Sequence, residues 1–80
     1  MEESFQFIDM DGQAHQVVFT VIHTEGEFRV YGVRACMISD GAIERVEEVT
    51  ERFITLNEAK ETLKMLCHYQ VMPCTLRDVI

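Results

Sequence analysis

Six side chains in this chain could carry nucleophilic, redox or metal chemistry: Cys36, Cys67, Cys74, His15, His23 and His68. A structural zinc site needs four ligands, and sequence usually betrays it by cysteine or histidine pairs close enough to share one turn. None of the six forms such a pair. Cys67 and Cys74 lie on either side of a helix end, and Cys36 sits inside an apolar run. His15 and His23 share a strand face but stand roughly 26 Å apart by strand rise. A Cys/His nucleophile needs a base within hydrogen-bond reach, and the adjacent Cys67 and His68 point about 100° apart on a helix. The expected reading is core thiols and surface imidazoles, so no cofactor and no metal is assigned and the chain is read as non-catalytic. No Ser-centred elbow, phosphate-cradling glycine loop or His-Glu-x-x-His is present. Asp9-x-Asp11-Gly12 opens like a calcium loop, but the later ligand positions do not follow.

Charge excludes more than motifs do. Among 80 residues, 14 acids face 7 bases, giving a formal charge of −7. So acidic a surface repels phosphate backbones and anionic lipid, which removes direct nucleic-acid binding and membrane binding from the expected partners. No apolar run approaches the roughly 18 residues that span a bilayer. Met1-Glu2-Glu3-Ser4 carries acid where a secretory leader carries base, and three cysteines is an odd number for a disulfide framework; both point to the cytoplasm.

Two apolar periods position these residues. Up to about residue 40 the period is near two and the chain reads as strands: a short one at Phe5–Ile8, a second over about Ala14–Thr24, and a third over Phe28–Ser39. The second and third are apolar on both faces. Gly32, inside the third, reads as a bulge or bend. Asp40-Gly41 is a two-residue hairpin signal. Residues 42–54 fit either a strand over about 42–49 or a short amphipathic helix; the preceding turn favours the strand. Thr55-Leu56-Asn57-Glu58 fits a capping box opening a helix to about Gln70, whose inward stripe is Leu56, Ala59, Leu63, Leu66 and Cys67. Pro73 bars its continuation, and Thr75-Leu76-Arg77-Asp78 repeats the capping pattern, with Leu76, Val79 and Ile80 returning to the core. The sum is one α+β domain over residues 1–80: an antiparallel β-meander of three to four strands with one long C-terminal helix packed on one face.

One helix covers one sheet face, which leaves a surplus of apolar side chains. Tyr31 and Met37 on the long strand, with Met65 and Tyr69 outside the helix core stripe, are the candidate protein-interface residues. They point to a small interaction or regulatory domain that binds protein, its own copy included, as a homodimer packed face to face or edge to edge. A second reading takes Glu44, Glu47, Glu48 and Glu51 as an acidic strip for a basic partner, making the chain an inhibitor or decoy of a nucleic-acid-binding protein. A third places thiol or metal chemistry at Cys36, Cys67 or Cys74.

From about Phe28 onward the chain resembles a short bacterial family of unknown function. The likeness rests on Tyr31-Gly32-Val33 in a long strand, the Asp40-Gly41 turn, the acidic strand, the capped helix, and Val71-Met72-Pro73 followed by Leu76-x-Asp78-Val79-Ile80. It implies this fold in a bacterial cytoplasm, and brings with it no activity, cofactor or catalytic residue.

Overall fold

A computed structural model describes residues 1–80. Alternating β-branched and aromatic residues form four strands: β1 (Glu2–Ile8), β2 (Ala14–Glu25), β3 (Arg29–Ser39) and β4 (Ala42–Phe53). They pair antiparallel in chain order as a single up-and-down sheet. Asp40 and Gly41 both take positive φ (52° and 76°), the conformation a two-residue hairpin demands. In the first turn the Asp9 carboxylate accepts from the N–H groups of Asp11 and Gln13, each at 2.9 Å, and Gly12 supplies a φ of 84°.

The register assigns every side chain to a face. Phe5, Val17 and Met37 stand in one row, and Val21 opposes Val33. Val17, Phe19, Val33, Ala35 and Val49 from this face join Leu63, Leu66 and Leu76 in the buried core. The helix α1 (Leu56–His68) lies over them, so the expected inward stripe holds at Ala59, Leu63 and Leu66. Leu56 does not belong to it: in the first helical turn it stays exposed. Thr55 Oγ1 accepts from Glu58 N–H at 3.2 Å, which fixes where α1 starts.

The expectation of one long C-terminal helix is corrected. α1 stops at His68, two residues before the sequence-based limit, and a 3-10 turn (Pro73–Thr75) leads into a short helix α2 (Leu76–Val79). The physical reason is a Schellman ending. Gln70 adopts φ 52°, its N–H bonds Cys67 O, and Val71 N–H reaches back to Leu66 O at 3.0 Å. Val71 then packs against the core, and Pro73 is buried. Thr75 does not cap α2, because its hydroxyl donates to Met72 O at 3.0 Å. Leu76 and Ile80 return to the core as expected, whereas Val79 stays exposed.

Residues 42–53 form strand, not helix, and the strand is irregular. Between the pairs Met37↔Arg45 and Ile38↔Ile43 one residue, Glu44, is extra. Between Tyr31↔Phe53 and Val33↔Val49, Thr50, Glu51 and Arg52 stand against Gly32 alone, with Glu51 at φ 53°. A Cβ on Gly32 would collide with the Val49 carbonyl oxygen, so the missing side chain is what lets β4 bulge inward there. No helix is long and apolar enough to cross a membrane.

Candidate functional site

The four expected interface residues do not form one surface. Tyr31 and Met37 share the strand parity of Val33 and Ala35, so they lie on the face that α1 takes. Met37 packs against the core there. Tyr31 is half-buried at the far end of the same face, its ring 6.4 Å from that of His23. Met65 (38% exposed) lies on α1 and Tyr69 (71%) caps its C-terminal end, where the Tyr69 ring meets that of His68 edge-on at 4.9 Å. Alternation was legible in the sequence; which parity the helix covers was not.

The surplus lies on the opposite parity. Register puts Ile8 beside Ala14, then Gln6–Gln16–Ile38–Ile43 in a row, then Ser4–Val18–Cys36–Val46. Helix, 3-10 turn and α2 all pack on the other side. Ile8 is 71% exposed, Ile43 64% and Val46 47%, with Val18, Cys36 and Ile38 half-buried between them. None of these three rows contains a charged residue. Charge begins in the next row, where Arg34 donates to its cross-strand partner Glu48. In a chain of net −7 this is an uncharged apolar surface.

The sheet edge formed by β4 is guarded. Its two bulges break a regular ladder, and Glu44, Arg45, Glu47, Glu48, Glu51 and Arg52 crowd along it. Both features oppose addition of another strand. The expected acidic strip is divided: Glu44 and Glu51 sit in the two bulges, and the adjacent Glu47 and Glu48 point to opposite faces. Glu44 approaches His15 Nδ1 at 3.8 Å, Glu47 accepts from Arg45 at 3.1 Å and lies 3.9 Å from Arg77, and Glu48 faces the open side with Arg34. These three acids are partnered on two different faces, so they present no continuous strip.

One constellation escaped sequence reasoning. His15 is buried, not a surface imidazole, because it shares the parity of Val17 and Phe19. Its Nε2–H donates to Asp9 Oδ2 at 2.6 Å, and its Nδ1 accepts from the hydroxyl of Ser39, its cross-strand partner. This tautomer is assigned from the two partners. Phe7 stacks on the ring at 4.9 Å. Hydrogen bonds from His15 first, and then from the Gln13 backbone, hold the Asp9 carboxyl below its ordinary value. Residue types alone suggest a serine nucleophile with base and orienting acid. Ser39 is only 5% exposed, however, and lines none of the surface depressions. The arrangement can satisfy every buried polar atom and clasp the β1–β2 turn to β3. The signal that could have found it is the strand parity of His15.

The cysteines are separate. Cys67 donates its thiol to Ser4 O at 3.1 Å, and burial, then Glu3, push its pKa up. Cys74 is exposed and Cys36 half-buried on the open face, all three as free thiols. No three His, Cys, Asp or Glu side chains gather in a cation-holding group. Comparison of the chain with protein-family models, with curated proteins and with solved structures finds no match to any of them.

Proposed function

We propose that this is a non-catalytic protein-interaction domain of the bacterial cytoplasm that self-associates through the open face of its sheet. The observation that carries the reading is the uncharged apolar surface of Ile8, Val18, Cys36, Ile38, Ile43 and Val46 on the face opposite α1. The three uncharged rows offer roughly 400 Å² per copy, from strand spacing and rise, so the paired Arg34–Glu48 row must join them for the contact to reach the size of a small specific interface. A second copy suits it for an electrostatic reason. Two chains of net −7 repel one another, and the contact that minimises the repulsion is the one whose charges are absent or already paired, as Arg34 is with Glu48. Face-to-face packing is favoured over pairing through the β4 edge, which is bulged and charged. The partnered acids give the decoy reading less support, and the raised pKa of Cys67 does the same for thiol chemistry.

Light scattering on the eluting protein tests this. The expectation is about twice the 9.3 kDa chain mass at tens of micromolar, and a monomer for the double substitution Ile43→Lys with Val46→Lys. Both side chains are exposed, so the monomer fold is unaffected. The pair Met65→Lys with Tyr69→Lys should leave the dimer intact. A wild-type monomer across that concentration range refutes self-association; loss of the dimer only in the helix pair moves the interface to α1.

A further inference from the structure

At the end of the sheet away from the Asp40-Gly41 turn, on the face α1 covers, a cleft of about 330 Å³ opens between the first helical turns and β2–β3. Val21, Met1 and Leu56 give it apolar walls, and Tyr31 closes it beside His23. The polar groups at its rim are His23, Arg29 and Lys60. Only 7 Lys and Arg occur in the whole chain against 14 acids, yet two of them meet here. Arg29 donates to Glu25, which also lies 3.8 Å from His23. Lys60, one helical turn after Leu56, takes part in no ion pair although it is half-buried. Lys60 therefore brings to the cleft an ammonium with no carboxylate within ion-pair distance, while its stem packs along the apolar wall.

We propose that this cleft binds a small amphipathic monoanion, a carboxylate carried on an aliphatic or aryl body. Lys60 supplies the missing ion pair for the head group and Arg29 the forked donor beside it. Val21, Met1, Leu56 and the Tyr31 ring receive the apolar body. The cleft is at the small end of ligand-pocket volumes, which limits the body to a few carbons. Local charge favours an anion, since the Arg29 and Lys60 side chains outweigh Glu25 by one positive charge. The site is on the opposite side of the sheet from the proposed self-association surface, so the two readings stand or fall separately.

The test is titration of the full chain with hexanoate, followed by backbone amide shifts in two-dimensional NMR. Saturable shifts at Val21, Tyr31, Leu56 and Lys60 with a millimolar Kd are expected, a modest affinity fitting an open cleft. Lys60→Gln should weaken binding about tenfold, the loss expected for one charge-assisted contact, and Lys60→Arg should restore most of it. Lys64→Gln, on the exposed side of α1, should change nothing. Hexanamide, which keeps the body and loses the charge, and inorganic phosphate, which keeps charge and loses the body, should each bind at least tenfold more weakly than hexanoate. Equal shifts with hexanamide or phosphate, unaltered binding in Lys60→Gln, or no saturation below ~10 mM overturns the proposal.

Discussion

Replacing Gly32 by alanine adds one methyl group at the point where β4 folds in upon β3. That methyl would fall against the Val49 carbonyl oxygen and 2.8 Å from Thr50 Cα, both main-chain atoms that no rotamer can withdraw. To make room, β4 must move off around the Val33↔Val49 pair. Two ladder hydrogen bonds weaken, at about 1 kcal/mol each, and Val49, now only 6% exposed, loses a burial worth roughly 1.5–3 kcal/mol. The expected cost is therefore about 3–5 kcal/mol, the opposite sign from an unhindered strand glycine, where alanine gains roughly 0.5–1 kcal/mol. In a domain of this size 1 kcal/mol moves Tm by about 4–8 °C, so thermal unfolding followed by circular dichroism should show a drop of at least ~12 °C. Hydrogen exchange of the β4 amides should accelerate in step, marking where the ladder opened. An unchanged or higher Tm refutes the claim that Gly32 is there to admit the bulge.

Three further outcomes follow from individual residues. Gln70→Gly relieves the left-handed backbone at the end of α1 and should raise stability by about 0.5–1 kcal/mol in urea titration, whereas Glu61→Gly, inside the helix, should lower it by about 1 kcal/mol; a destabilised Gln70→Gly contradicts the Schellman ending. Asp9, whose carboxyl is held below its ordinary value of 3.8 by His15, contributes stability that is complete above that value and vanishes as pH falls through the lowered one. Asp9→Asn should therefore flatten the acid limb of the stability curve while leaving its alkaline side unchanged in shape, and a variant as acid-sensitive as the parent contradicts the assignment. Timed alkylation read by mass spectrometry should label exposed Cys74 first and Cys67 last, since burial raises the Cys67 pKa and its thiol is engaged with Ser4 O; early labelling of Cys67 would show that β1 does not hold it.

The open apolar face proposed for self-association depends on these local facts. Bulges at Glu44 and Thr50–Arg52 spoil β4 as an edge for strand addition, and strand alternation sends Glu47 and Glu48 to partners on opposite faces. The exposed apolar area lies on a sheet face, the geometry that packs sheet against sheet at about 10 Å.

Sequence alone determined the local elements, because their signals are local. Period-two alternation marked the strands, Asp40-Gly41 the hairpin, Thr55 the start of α1, and Gly32 a bulge. Whether residues 42–53 pair with β3 or coil into a helix was settled only by the hairpin register, and the end of α1 only by Gln70 turning left-handed so that Val71 could reach the core. Which sheet face stays open was likewise a tertiary decision. Alternation assigns Tyr31 and Met37 to one side and Cys36 and Ile38 to the other, but the two sides are equivalent until a helix chooses between them. α1 settled on the side of Val17, Phe19 and Val33, which turned Met37 into core support and left Ile43 and Val46 in water. The proximity of His15 to Asp9 and Ser39, and of Lys60 to Arg29, arises from pairing and packing across long stretches of chain, and no spacing along the sequence encodes it.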